Sequence, residues 1–166
     1  MTRHAAAGLA ALALGLGCSW QVERSIDIEA PPEVVWELLT DLEGYADWNR
    51  YSPSARGELR PGGVVTIEAR LGDEVRHVDN LVTVLEPERS LCWHSMNWYE
   101  FLARGTRCRD LEPRPGGTHL RHHEVMEGPL AGLIEWVYRS RIEAGLERMN
   151  ADLERAAEAR ASARGA

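Results

Sequence analysis

The chain contains no lysine: all 19 of its basic residues are arginine. This bias reads as the mark of a GC-rich genome, and no function is attached to it. A basic stripe is also missing. The formal net charge is −7, and the one dense cationic cluster, Arg104, Arg107 and Arg109, is too short for a duplex footprint. Phosphate repels so acidic a chain, which excludes nucleic acid as a partner. No apolar run reaches the roughly 20 residues needed to cross a bilayer core. No Gly-x-Ser-x-Gly elbow is present, and Cys92 and Cys108 lack the motifs of cysteine hydrolases. The two Gly-Gly pairs, at 62–63 and 116–117, sit in hairpin turns rather than in a phosphate-binding loop. The histidines do not gather into a metal site either. In a strand His122 and His123 point to opposite faces, and His119 and His123 stand about 13 Å apart, whereas zinc needs ligands at about 2 Å from one centre. No metal and no cofactor are expected. What remains is 44% hydrophobic and 27% charged, the balance of one packed globular domain rather than of a disordered chain.

Arg3 and His4 precede a 13-residue apolar run, Ala5 to Gly17, and then Cys18. A basic start, a short apolar stretch and a small-residue end are the layout of a secretory signal. Leu14-Gly15-Leu16-Gly17-Cys18 resembles the lipobox of bacterial lipoproteins, with the leucine one position earlier than that pattern prefers. The resemblance implies lipidation of Cys18 and a chain tethered to a membrane, facing the periplasm or the cell exterior. Ordinary cleavage nearby would instead leave a soluble exported protein. The expected organisation is a signal segment at 1–18, one domain at 19–160 and a frayed tail at 161–166. Cys92 and Cys108 are equidistant from Glu100, the centre of an expected hairpin. In an oxidising compartment they form either a cross-strand disulfide or two buried thiols.

Val22 to Glu29 alternates as a strand, and Pro31-Pro32 then stops it. Pro32 and Glu33 suit a first helical turn, and Val34, Val35, Leu38 and Leu39 follow at helical spacing. A second short helix is expected within Asp41 to Trp48. Six further strands joined by turns follow: Ala55 to Leu59, Val64 to Leu71, Glu74 to Leu85, Leu91 to Ser95, Arg104 to Leu111 and Thr118 to Glu127. From Leu130 the period changes. Ile134, Tyr138, Ile142, Leu146, Met149, Leu153 and Ala156 recur every three or four residues, one stripe of a helix of about 30 residues.

Specific stretches carry a further likeness. Ile26-Asp27-Ile28-Glu29-Ala30-Pro31-Pro32-Glu33-Val34-Val35-Trp36, the segment Asp41 to Asn49, Leu91-Cys92-Trp93, Leu111-Glu112-Pro113 with Gly116-Gly117-Thr118, and Gly128-Pro129-Leu130 resemble the START/polyketide-cyclase (SRPBCC) superfamily in order and spacing. The resemblance implies an α+β helix-grip fold: a curved seven-stranded antiparallel sheet around a long C-terminal helix, with two short helices after the first strand. That superfamily mixes ligand carriers, cyclases and interaction modules.

A strongly curved sheet does not seal against a straight helix, so an apolar cavity is expected between them; the alternative is a core plugged by Trp36, Trp48, Trp93, Trp98 and Trp136. Period-two alternation puts Thr118, Leu120, His122, Glu124 and Met126 on the cavity face. The expected lining is Trp93, Leu120, His122, Glu124, Met126, Ile142, Gly145 and Met149, with Gly145 thinning the helix at its middle. The leading functional reading is non-catalytic binding or transport of a lipid-like or polyketide-like hydrophobic small molecule. One alternative is a cyclase/aromatase-type enzyme using His122 and Glu124 as an acid/base pair. Another is an interaction module of a membrane-associated complex, with Trp98, Tyr99 and Phe101 as its contact patch.

Overall fold

The computed structural model describes residues 19–97 and 100–165. Strand β1 (Ser19–Ile28) opens the domain. Helix α1 (Pro32–Thr40) starts on a proline, whose missing N–H costs nothing in a first turn, and buries Val34, Val35, Leu38 and Leu39 along one stripe. A single turn, α2 (Tyr45–Trp48), follows. The Tyr45 hydroxyl donates to the Leu39 carbonyl at 2.8 Å and sets the angle between the two helices. Strands β2 (Ala55–Gly57), β3 (Val64–Leu71), β4 (Glu74–Glu86), β5 (Ser90–Met96), β6 (Arg104–Arg114) and β7 (Gly117–Glu127) come next, and α3 (Ala131–Gly165) closes the chain.

All seven strands form one antiparallel sheet in the order β1-β7-β6-β5-β4-β3-β2. This is the helix-grip architecture that the sequence order implied. From β2 to β7 each strand lies beside the next in the sequence, so only β1 is out of order. It reaches across the bottom of the sheet to pair with β7 along its whole length, from Ser19 opposite Glu127 to Ile28 opposite Thr118. The β6–β7 turn is shorter than the expected Pro113–Gly117 segment. Pro113 remains paired with Thr118, leaving only Pro115 and Gly116 between the last paired residues, and Gly116 adopts a positive φ of 85°.

Side chains fasten α3 to β1 in step along both elements. The Trp20 indole donates to the Ala131 carbonyl at 2.8 Å, Arg24 pairs with Glu143 and Glu147, the Asn150 amide donates to the Arg24 carbonyl at 3.1 Å, and Glu158 accepts from the Glu29 N–H at 3.0 Å. The loop after α2 is held to the same helix by Arg50, whose guanidinium and backbone N–H both donate to the buried carboxylate of Asp152. Burial alone would raise the Asp152 pKa, but Arg50 outweighs it and holds the carboxyl below its ordinary value.

The tail expected to fray beyond residue 160 is helical to Gly165. Arg160 and Arg164 both reach Glu37 on α1, so the exposed last turn is held by ion pairs. Among the described residues no helix is long and apolar enough to cross a membrane.

Cys92 and Cys108 face each other across β5 and β6, and their sulfurs are bonded. They close a loop of 16 residues, which confers about 3 kcal/mol in the chain-entropy account. Denatured protein alkylated without reductant should keep Cys92 and Cys108 unmodified, and prior reduction should lower the unfolding free energy by about 3 kcal/mol. Full alkylation without reductant would contradict the bridge.

Candidate functional site

Because α3 is fastened along β1, it presses closely on that side of the sheet and leaves a gap between itself and the strands from β3 to β6. A cavity of about 170 Å³ occupies that space. The sheet contributes Ile67, Ala69, Leu71, Val78, Trp93 and Met126, and α3 contributes Ile134, Tyr138 and Ile142. Trp93 is one wall rather than a plug. Trp136 points away from the interior, 84% exposed.

Four of the eight expected lining residues are on this cavity: Trp93, Glu124, Met126 and Ile142. The other four are buried but elsewhere. Leu120, His122 and Met149 are packed into the solid part of the core, where α3 presses on β7. Gly145 leaves no room for a guest. A Cβ built there would lie 2.3 Å from the Tyr51 ring, so the missing side chain is what lets Tyr51 pack under the helix. Gly105 on β6 does line the cavity, but it is closely packed: a Cβ there would stand 3.1 Å from both Glu124 Oε1 and the Met126 methyl.

His122 and Glu124 do not form a pair. His122 binds Asn150, with 2.8 Å between Nδ1 and Oδ1. The Asn150 amide nitrogen is already donating to Arg24, so its oxygen is the acceptor and the imidazole proton sits on Nδ1. Burial, reinforced by the charges of Arg109 and Arg107, holds His122 well below the ordinary histidine value and keeps it neutral. Glu124 is taken by Arg107, whose Nε donates to Oε2 at 2.7 Å and whose Nη2 contacts the same oxygen. Nη2 also donates to the Tyr51 hydroxyl at 3.1 Å. Burial works against the Arg107 charge, but Glu124 and Tyr51 outweigh it and hold its pKa above the ordinary arginine value. Tyr51, Arg107 and Glu124 therefore form one bonded polar cluster on the cavity wall, which also carries Arg76, Asn80, Ser95, Asn97 and Tyr138.

The arginines on β6 were the missed signal. Gly105, Arg107, Arg109 and Leu111 alternate inward, while Thr106, Cys108 and Asp110 face outward. Arg109, 2% exposed, has no carboxylate partner. Its guanidinium lies 4.2 Å over the Trp93 ring, where the aromatic face substitutes for an anion. Burial pushes its pKa down to about 10, which leaves it charged at neutral pH. At the open end of the cavity Arg76 on β4 donates to the Tyr138 hydroxyl and stacks 4.8 Å over that ring, bridging sheet and helix. Among the described residues no three or more of His, Cys, Asp and Glu are grouped as metal ligands. Cys18, Trp98 and Tyr99 lie outside the described residues.

The arrangement can hold a small apolar body and offer it a few polar contacts. Arg107 donates to the Tyr51 oxygen, so the Tyr51 proton is left to donate to a guest oxygen. The Glu124 carboxylate accepts. A dry, apolar cavity of about 150 Å³ takes up benzene, so this volume suits one or two fused rings better than a long acyl chain.

The polyketide cyclase/dehydrase and lipid transport family model matches residues 19–158. No functionally curated protein matches the chain. Among solved structures, the di-domain ARO/CYC BexL of the BE-7585A biosynthetic pathway superposes with a TM-score of 0.66 at 16% identity, covering 86% of this chain and 50% of that one. This chain thus spans half the length of that protein. Protein MLL2253 from Mesorhizobium loti gives a TM-score of 0.66 at 23% identity over 82% of this chain and 96% of its own. The Zhui aromatase/cyclase from Streptomyces sp. R1128 gives 0.63 at 18% identity over 90% and 97%. At these identities the likeness is one of fold.

The neutral, buried His122 makes stability depend on pH. Its folded pKa lies below the ordinary 6.5, so between the two values the unfolded chain binds the proton and the folded chain does not. This contribution is complete above pH 6.5 and is lost as pH falls below it. Chemical denaturation should therefore show unfolding free energy declining from pH 6.5 downward, with a shallower slope in His122→Gln. An equal slope in both proteins would show that His122 is not held neutral.

Proposed function

The chain belongs to the polyketide cyclase/dehydrase and lipid transport family, and on that premise we propose that it is a non-catalytic binding protein for a ring-sized hydrophobic molecule carrying a hydroxyl or keto oxygen. The observation that carries this reading is the cavity of about 170 Å³, apolar on most of its wall, with the Tyr51, Arg107 and Glu124 cluster among its polar groups. Apolar burial supplies the driving force, at about 25 cal/mol per Å² before the costs of association. Tyr51 and Glu124 orient the guest by one donor and one acceptor. Family membership supports hydrophobic-ligand binding in general; the ring size and the oxygen substituent are inferred from the volume and the polar wall.

The second reading is a cyclase/aromatase-type enzyme, favoured by the likeness to proteins described as aromatase/cyclases. Any such chemistry would fall to Tyr51, Arg107 and Glu124, because His122 is committed to Asn150 and does not reach the cavity wall. Arg107 holds the Glu124 carboxylate in a tight ion pair, which suits orientation of a guest better than proton transfer.

We further infer that the protein works outside the cytoplasm, tethered by a lipid on Cys18. The signal-like segment and the lipobox-like sequence support this, as does the Cys92–Cys108 bridge, since disulfides persist in oxidising compartments. Mass spectrometry of protein from its own host should find Cys18 as a lipidated N-terminus; an intact Met1 terminus would reject the export reading.

Titration with 2-naphthol, followed by calorimetry or by NMR, should show saturable binding. Met126→Trp, which fills the cavity, should abolish it. Tyr51→Phe should weaken 2-naphthol by about tenfold, the loss of one hydrogen bond, while leaving naphthalene unchanged. Undiminished binding in Met126→Trp would remove the cavity as the site. Conversion of a poly-keto substrate analogue to a cyclised product, lost in Tyr51→Phe, would favour the enzyme.

A further inference from the structure

The first turns of α3 are apolar on two sides. Residues 130–138, Leu-Ala-Gly-Leu-Ile-Glu-Trp-Val-Tyr, contain a single charge. Ala131, Ile134 and Tyr138 turn inward to the core and the cavity wall. Leu130, Leu133, Trp136 and Val137 recur at spacings of three and four and turn outward, with Leu133 57% and Trp136 84% exposed. A helix apolar on both faces is normally covered on both. Phe101, 73% exposed, stands at the same end, since its neighbour Leu102 accepts the Leu130 N–H at 2.9 Å. Scattered exposed apolar residues are ordinary, but a group this concentrated marks a contact surface.

We propose that this face, Phe101 with Leu133 and Trp136, docks on the surface of a lipid bilayer, so that the open end of the cavity meets the acyl-chain boundary. Three observations select a bilayer over other occupants. First, the chain preceding the described residues enters the domain here. The apolar run Ala5 to Gly17 leads to Ser19, which pairs with Glu127 one residue before Gly128, and Trp20 is bonded to the first residue of α3. On the export reading given above, a lipid on Cys18, which directly precedes Ser19, holds this same end at a bilayer. Second, the three side chains offer on the order of 400 Å², about half of the roughly 800 Å² per partner typical of a specific protein interface. Tryptophan with phenylalanine and leucine is also the residue mix of a membrane interface. Third, the rim has no surplus of positive charge. Arg104 pairs with Glu100 and Glu127, and Arg139 with Glu135 and Glu143. Docking is therefore apolar insertion, independent of anionic lipid, and compatible with a chain whose net charge is −7.

The cavity ends at this face. Asn97, Ala103, Ile134 and Tyr138 all belong to its lining, so a guest leaving between the β5–β6 connection and α3 would pass from cavity to acyl chains without crossing water. The docking proposal goes beyond the ligand reading and stands independently of it.

The test uses the full chain with phosphatidylcholine vesicles carrying brominated acyl chains. The fluorescence of position 136 is isolated as the difference from Trp136→Phe. The expected result is quenching of that difference signal by bromolipid and its protection from iodide, equal at low and high salt, with about tenfold less quenching in Phe101→Asp. Phe101→Asp should bind 2-naphthol in solution as the native protein does, which separates failure of docking from failure of the cavity. Three outcomes would each overturn the proposal: the chain stays in the aqueous phase, position 136 remains open to iodide on the vesicles, or position 136 becomes protected without vesicles as protein concentration rises, which would assign the face to a second copy.

Discussion

The fastening of α3 to β1 determines where the molecule is solid and where it is hollow. Trp20, Arg24 and Glu29 grip the helix at Ala131, at Glu143 to Asn150 and at Glu158, so the helix cannot slide across the sheet. The seven strands nevertheless continue well beyond the width one helix can cover. On the β1–β7 side the apolar residues of sheet and helix interdigitate and leave nothing open. On the β3–β6 side they face Ile134, Tyr138 and Ile142 of α3 across a gap, and a void is the consequence. Filling it would need either a second helix or a larger side chain at Ala69, which borders the space. The cavity follows from topology, with a small residue on β3 helping to keep it open.

Charge placement obeys the same division. Burying an arginine is costly unless its charge finds a partner. Arg107, on the hollow side, has Glu124 and Tyr51, and the cluster keeps polar character at a wall that is mostly apolar. Arg109, two residues along the same strand, lies toward the solid side and has the Trp93 face instead of a carboxylate. Its charge in turn helps keep His122 neutral, which suits an imidazole committed to a neutral amide. The polar residues of the interior form two systems: one faces the void and is available to a guest, while the other is internal and structural.

How much of this was legible beforehand depends on whether a feature is periodic or relational. The strands, both short helices and the long helix were readable because alternation and three-to-four spacing are local, and they fall within a few residues of the observed limits. The inward set Thr118, Leu120, His122, Glu124 and Met126 followed from period two alone, and all five are buried. Pairwise relations were not readable. Nothing in the order of residues says that Glu124 meets Arg107 rather than His122, since that depends on the β6–β7 register. Nor does a glycine on a helix stripe reveal whether a guest or Tyr51 fills the space in front of it. The β6 arginines were legible in principle. Gly105, Arg107, Arg109 and Leu111 share the parity of a buried face, but arginine is so seldom fully buried that in the sequence these arginines count only as a short cationic cluster. The helix terminus was underestimated for a similar reason, because its hold on Glu37 is a contact made from α1.

The two ends of the domain are chemically unlike, and this difference gives the cavity a direction. Toward the far end of α3, Arg160 and Arg164 tie the helix to α1 through Glu37, and Leu153 and Ala157 are fully buried. At the near end the helix begins with outward apolar side chains, and the lining thins to Asn97, Ala103 and Tyr138. Arg76 crosses the gap there to reach Tyr138, so sheet and helix touch at the opening by a polar contact rather than by packed core. A polar contact at an aqueous surface is easily exchanged for water, whereas the core at the other end is not. Opening is thus energetically confined to the end where the N-terminal segment enters. A hydrophobic guest stored in the wide half of the sheet has one low-cost way in or out, past Tyr138, and it leads toward the most apolar surface the described residues present.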